Sequence, residues 1–279
     1  MPRLGVCSWS LRPSGPSDLV DKLGMTGLNA VQLALDPIRE GAWGRAETQR
    51  ALSGAGVLVL SGMMGTKGED YSTLDTIRRT GGVRPDEHWE HNLAAARDTA
   101  QLAAEMGLRL VTFHAGFIPH ERSEPLRAVM LDRLRRIADR FHANGVRIGF
   151  ETGQEAASTL AEALTELDHP AIGVNFDPAN MILYGMGDPV AAVATLRRWI
   201  VQVHVKDANP PPAPGEWGFE VPAGAGSVRW SPFFRAVQSL PSNVDLLIER
   251  ESGDARIADV RTAAALVRAH SAAPTEARP

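Results

Sequence analysis

Arg147-Ile148-Gly149-Phe150-Glu151 is a short β-prone run that stops on a carboxylate. Three other segments have the same form: Gly173-Val174-Asn175-Phe176-Asp177, Val201-Gln202-Val203-His204 and Asp245-Leu246-Leu247-Ile248-Glu249. Each has strand length, carries β-branched or aromatic residues, and ends on a carboxylate or an imidazole. Parallel strands closed into a barrel bring their last residues to one rim, so side chains far apart in sequence converge there. Three carboxylates and a histidine at one rim are costly to bury unless a divalent cation lies among them. The four segments therefore predict an enzyme built on a barrel.

Outward from these segments, short β-like runs alternate with longer helical ones along the whole chain. The pattern predicts strands over 4–8, 30–33, 57–61, 108–114, 147–151, 172–177, 201–204 and 244–249. It predicts amphipathic helices over 87–106, 124–144 and 156–167. Met106-Gly107 and Asn144-Gly145 read as helix stops leading directly into the next strand. Asp188-Pro189 reads as an N-cap followed by a first-turn proline. Eight β–α units in 279 residues predict an α/β chain forming a single (β/α)8 TIM barrel over residues 1–270. A doubly wound open sheet is the alternative. Residues 271–279 read as a flexible C-terminal tail. Two long excursions, 62–85 and 209–228, fall after the third and seventh strands, on the side where loops build active sites.

A hydrophobic content of 44% with 22% charged residues is that of a globular protein, and 279 residues suffice for a substantial core. The net charge of −4 gives no basic footprint for nucleic acid. No apolar run is long enough to span a bilayer, and the start Met1-Pro2-Arg3-Leu4 lacks the pattern of a signal peptide. The single cysteine, Cys7, excludes an internal disulfide and reads as a small buried side chain. The expectation is a cytoplasmic protein that binds neither nucleic acid nor membrane.

Glu151, Asp177, His204 and Glu249 form the predicted metal set. Hard oxygen donors with one imidazole suit Mn²⁺, Mg²⁺, Co²⁺ or Zn²⁺, with Mn²⁺ favoured, and one divalent ion per chain is expected. Any one of these residues alone would read as a helix cap or an ion-pair partner. The four together do not, because four caps would have no need of a histidine. His114 ends Val111-Thr112-Phe113-His114 beside Ala115-Gly116 and is a candidate substrate contact. Lys206 shares the strand face of His204 by alternation and can reach a substrate oxygen; Asp207 can orient it or cap a turn. For Lys206 a surface ion pair is the competing reading. Trp9 offers an apolar wall to a sugar or fills the barrel mouth. Arg229 reads as solvent-exposed.

Phe150-Glu151, Phe176-Asp177-Pro178-Ala179-Asn180, Val203-His204-Val205-Lys206-Asp207 and Ile248-Glu249 resemble the motifs of the xylose isomerase-like barrels, the sugar phosphate isomerase/epimerase group. The resemblance covers nearly the whole chain. It implies that Glu151 and Glu249 are catalytic as well as metal-binding, flanking the substrate carbons as proton acceptor and donor, while Asp177 and His204 complete the ligand set. It places Gln32 where the family often has a glutamate; an amide can hydrogen-bond a hydroxyl but cannot act as a base. Asn180 stands where several epimerases have a histidine, which leaves it a candidate substrate contact. A homodimer remains open.

The chemistry stands beside the resemblance. A divalent ion on a carbonyl and its neighbouring hydroxyl stabilises an enediolate. One carboxylate removes a carbon-bound proton and another returns it. The outcome is epimerisation or aldose–ketose isomerisation of a ketose or related sugar or sugar phosphate. Loss of a β-hydroxyl instead gives a dehydratase or lyase of a keto-inositol or 3-keto-sugar. An abasic-site endonuclease of the same barrel needs extra histidines that neither Ser61-Gly62-Met63-Met64 nor the 220–226 loop supplies. A non-catalytic sugar-binding barrel would lack one of the two glutamates, and both are present.

Overall fold

Leu4, Gly5 and Val6 pair in parallel with Leu246, Leu247 and Ile248, so the first and last long strands are neighbours and the sheet closes. That pairing excludes the open doubly wound alternative. The computed structural model describes residues 2–213, 215–240 and 244–272. In chain order the strands are β1 (Leu4–Cys7), β2 (Ala30–Ala34), β3 (Leu58–Met63), β4 (Leu110–Phe113), β5 (Arg147–Glu151), β6 (Ile172–Phe176), β7 (Ile200–Val205), β8 (Asp207–Asn209), β9 (Phe219–Val221) and β10 (Asp245–Ile248). All except β8 and β9 form one closed barrel in the order β1-β10-β7-β6-β5-β4-β3-β2. The fold is a (β/α)8 barrel.

The predicted helices are present with ends moved by about a residue, as Asp86–Glu105, Pro125–Ala143 and Ala157–Leu167. Gly107 and Gly145 take positive φ, the conformation that ends a helix and turns the chain into β4 and β5. Asp188 accepts from the Val190 N–H and caps the helix Pro189–Leu196. The last helix runs Arg256–Ala272, so Ser271, expected at the head of the tail, continues it; residues 273–279 of that expected tail lie outside the described residues. Among the described residues, no helix is long and apolar enough to cross a membrane.

Strand alternation sorts the side chains into two regions. Ile148, Phe150, Val174 and Phe176 join the large apolar core shared with the helices. The opposite faces fill the barrel axis, and that filling is stratified. Cys7, Ala30, Leu60 and Leu247 form an apolar floor. Above it Gln32, Ser61, Thr112, Asn175 and Gln202 form a buried hydrogen-bonded layer of amides and hydroxyls. Charged residues occupy the rim at the carboxyl ends of the strands. The amides and hydroxyls of the middle layer pair with one another, so these polar groups are satisfied within the barrel.

The two excursions are structured. The first contains the helix Leu74–Thr80, whose start carries a reciprocal capping box between Thr73 and Thr76. The second folds as the antiparallel pair β8–β9. Asp207 anchors it: its carboxylate accepts from the backbone N–H groups of Ala208, Gly224, Gly226 and Val228 and from Trp230 Nε1. Gly226 is needed there, because a Cβ would sit 2.2 Å from Asp207 Oδ1. Glu220 adds a second staple, accepting from the N–H groups of Glu251 and Ser252 and pairing with Arg250.

Candidate active site

The four strand-end residues converge. His204 Nδ1 lies 3.5 Å from Glu151 Oε1, 3.5 Å from Asp177 Oδ2 and 3.4 Å from Glu249 Oε2. The candidate ligand atoms of all four residues lie within 4.8 Å of one another, and every one of the residues is buried. The order β10-β7-β6-β5 puts two strands between Glu249 and Glu151, so the glutamates approach the centre from different sides.

The surroundings hold each group in place. Asp177 divides its oxygens: Oδ1 accepts from the N–H groups of Ala179 and Asn180 and caps the next helix, while Oδ2 faces the cluster. Thr152 ties the ends of β5 and β6 together through the Asp177 backbone. Glu151 accepts from Asn180 Nδ2 on Oε1 and from Asn175 Nδ2 on Oε2. Gly153, with φ +131°, permits the Asn180 approach, since a Cβ there would fall 2.4 Å from Asn180 Cβ. Glu249 Oε1 accepts from Trp9 Nε1 at 2.8 Å, and Glu249 Oε2 accepts from Lys206 Nζ at 2.8 Å. Trp9 follows β1 in the short helix Ser8–Leu11 and thus touches a cluster residue through its polar edge.

Charge balance follows from this packing. Burial pushes the Glu249 carboxyl up, but Lys206 and His204 outweigh it and hold Glu249 well below the usual range. Burial likewise opposes ionisation of Glu151, and His114 and His204 bring it below its ordinary value. Asp177 is raised, because burial outweighs the pull of Lys206 and His204. Burial alone would lower His114, yet Glu151 and Glu69 raise it. The Cys7 thiol is pushed up to about 12, chiefly by burial, so it is inert as a thiolate.

A cation fits this donor set. Among the described residues, Asp177 Oδ2 and His204 Nδ1 are buried without a hydrogen-bond partner, and they point at the same centre. Three carboxylates and one imidazole are the hard donors that Mn²⁺ or Mg²⁺ takes.

Above the cluster lies a cavity of about 190 Å³ lined by Tyr71, His114, Asn180, Lys206, Trp217 and Glu251, with Leu183 and Tyr184 beside them. His114 Nε2 is 3.9 Å from Glu151 Oε1. Lys206 is buried between Glu249 and Glu251, at 2.8 and 2.5 Å, and is not the surface ion pair that was the competing reading. A larger cleft of about 530 Å³, lined by Leu4, Leu28, Phe234 and Val267, opens between the other end of the barrel and its last helices and holds none of these groups.

Several sequence-predicted residues are placed differently from expectation. Asp207 does not orient Lys206 or face the cavity; both its oxygens are occupied by the β8–β9 loop, which is the turn-capping alternative. Gln32 sits inside β2, one layer below the cluster and fully buried, so its amide meets His204 and Thr112 and not a substrate hydroxyl. Arg229, by contrast, pairs with Asp188 at the surface, in line with its solvent-exposed reading. Glu251, Asn175, Tyr71 and Trp217 were not singled out. Glu251 lies beyond the end of β10, so strand alternation did not mark it, and Tyr71 and Trp217 lie in the two excursions already marked.

The family model for the xylose isomerase-like TIM barrel matches residues 18–270. The chain belongs to that family. No curated protein matches it. Among solved structures, this xylose isomerase-like barrel is similar to a xylose isomerase domain protein from Planctomyces limnophilus, 27% identical over 90% of each chain with a TM-score of 0.82. An L-ribulose 3-epimerase is 15% identical over 100% of both chains, with a TM-score of 0.74. The probable 3-DHS dehydratase of petrobactin synthesis from Bacillus anthracis is 18% identical over 96% of this chain and 99% of its own, with a TM-score of 0.72. The last two show the fold alone.

Proposed function

We propose that this barrel is a divalent-metal-dependent isomerase or epimerase of a ketose or related sugar, acting by proton transfer between carboxylates. The observation that carries the reading is the pair Glu151 and Glu249, which share one buried cation-ready centre beneath a single small cavity yet approach it from different strands. Glu151, Asp177, His204 and Glu249 would hold the ion, which supplies charge stabilisation to the enediolate oxygens. Glu249, kept anionic beside Lys206, would accept the carbon-bound proton and later release it to solvent, and Glu151, after taking a proton from solvent, would deliver that one to the opposite face. His114 and Lys206 bind the sugar oxygens, Asn180 holds Glu151, and Trp217 and Tyr71 wall the cavity.

The cavity favours an uncharged sugar. Among its described lining residues Lys206 is the one lysine or arginine, and Glu249 and Glu251 already neutralise it. A phosphate dianion would enter a site with four carboxylates and no free guanidinium. A volume of about 190 Å³ suits one small polyol, well below the several hundred Å³ a drug-sized ligand takes.

Glu251 keeps a second reading in view, a dehydratase of a keto-inositol or 3-keto-sugar. It is the one carboxyl among the described lining residues of the cavity, and a carboxyl there could protonate a departing β-hydroxyl.

The test is metal analysis of the full chain followed by a screen of ketoses, keto-inositols and their phosphates with Mn²⁺, with products read by NMR in deuterated water. The expectation is about one ion per chain, deuterium incorporated at a substrate carbon, and turnover abolished by Glu249→Gln with the fold intact. A fully active metal-free protein, or turnover without exchange, would overturn the reading. Net loss of water from substrate would select the dehydratase.

A further inference from the structure

We propose that Gln32 is a positioning residue that fixes the tautomer of His204, so that Nε2 keeps its proton and Nδ1 is the nitrogen offered to the cation. This rests on the metal-site reading above and extends it below the ligands to a residue that touches neither ion nor sugar.

The orientation of the Gln32 amide is set from a backbone group. Its Nε2 lies 3.3 Å from the Gly62 carbonyl, which can only accept, and 2.8 Å from Thr112 Oγ1. The nitrogen end of the amide must therefore face β3 and β4. That leaves Gln32 Oε1 facing the barrel axis, where it accepts from Gln202 Nε2 at 3.0 Å. Gln202 is itself fixed, since its nitrogen also donates to Asn175 Oδ1 and its oxygen accepts from Ser61 Oγ.

His204 Nε2 sits 2.8 Å from Gln32 Oε1. An unprotonated nitrogen there would face an oxygen lone pair in a buried layer, whereas a proton on Nε2 makes a short hydrogen bond. Asn175 Nδ2 lies 3.0 Å from the same nitrogen and keeps a second hydrogen beside the one it gives Glu151 Oε2, so the nearer Gln32 oxygen and the claim of the proposed cation on Nδ1 together set the tautomer. With Nε2 protonated, the neutral ring carries its lone pair on Nδ1, the orphaned atom that faces Glu151, Asp177 and Glu249. A glutamine does this without adding a fourth negative charge below three carboxylates, and a neutral acceptor leaves the imidazole a less basic donor than a carboxylate partner would.

The experiment uses the full-length protein, Gln32→Leu and Gln32→Glu, titrated calorimetrically with Mn²⁺, together with ¹⁵N NMR of His204 in the Zn²⁺-loaded and metal-free protein. The unmodified protein should show a slowly exchanging Nε2–H in both states and Nδ1 as the coordinated nitrogen. Gln32→Leu should lose that protected proton and bind Mn²⁺ about 10–100-fold more weakly. Gln32→Glu, which keeps an acceptor oxygen towards Nε2 but sets its other oxygen against the Gly62 carbonyl, should keep the protected Nε2–H, with Mn²⁺ affinity between those of the other two proteins. An unprotonated Nε2, or a natively folded Gln32→Leu with unchanged proton and affinity, overturns the proposal. If the unmodified protein binds no Mn²⁺, the metal reading fails, and the protected Nε2–H still decides the role of Gln32. If Gln32→Leu does not fold, the unmodified protein and Gln32→Glu carry the same decision.

Discussion

Replacing Asp207 with alanine should cost more stability than replacing any cavity-lining polar residue, although Asp207 does not face the cavity. Its carboxylate accepts from Ala208 N, Val228 N and Trp230 Nε1 at buried positions, and from the N–H groups of Gly224 and Gly226 where water can reach. A buried donor left without an acceptor costs about 1–3 kcal/mol. Three such donors, partly relieved by loop movement, give a loss of about 3–5 kcal/mol. The assay is urea denaturation of wild type, Asp207→Ala and Asp207→Asn, with limited proteolysis in the 209–228 region. Asn retains one acceptor oxygen and should lose about half as much. Trp217 rides on this loop, so KM should rise in Asp207→Ala while Mn²⁺ affinity holds, because none of the four proposed ligands is on the loop. A loss below about 1 kcal/mol, with proteolytic protection unchanged, would refute the reasoning.

Two other perturbations probe different parts of the rim. Glu155 is raised by burial to about 8 from an ordinary 4.5, so across that window the unfolded chain releases a proton that the folded chain retains. Stability should therefore fall as pH rises from 4.5 towards 8, and Glu155→Gln should flatten that slope and gain several kcal/mol at pH 8, at about 1.4 kcal/mol per unit; parallel thermal-melt profiles for the two proteins would reject this. Gly153→Ala combines a disfavoured φ with a Cβ driven against Asn180 and should cost about 1–3 kcal/mol. Its turnover should drop at least about tenfold as Asn180 leaves Glu151, and a fully active variant with native stability would contradict that placement.

The fold was legible because period-two strands ending before amphipathic helices leave few topologies. The closure was expected from the count of eight β–α units, with an open sheet as the alternative, and the meeting of Leu4 and Val6 with Leu246 and Ile248 across nearly the whole chain decides for it. The meeting of Glu151, Asp177, His204 and Glu249 was legible because each ends a strand. Asp207 was harder: strand alternation places a side chain on a face, but the β8–β9 hairpin is a long-range pairing that turns Asp207 into a loop anchor. Gln32 was misplaced by depth. A residue's face follows from alternation, but its height along the barrel axis follows from the stagger between strands, and β2 shifts register against β3 between Val31 and Gln32. Glu251 lies past the end of β10, where alternation no longer applies.

The pairing of β1 with β10 gives the barrel a time of completion. Glu249 follows β10, the last of the described barrel strands in chain order, and its partner Trp9 follows β1, the first. Until the C-terminal strand enters between β1 and β7, the nascent chain holds Glu151, Asp177 and His204 alone, with Lys206 lacking its buried carboxylate. The four candidate ligands therefore meet only in a closed barrel, and capture of the proposed ion by all four would mark the end of assembly and not its beginning. A chain stopped before residue 245 would keep most of its helices yet lack both the seal and the ligand that the seal delivers.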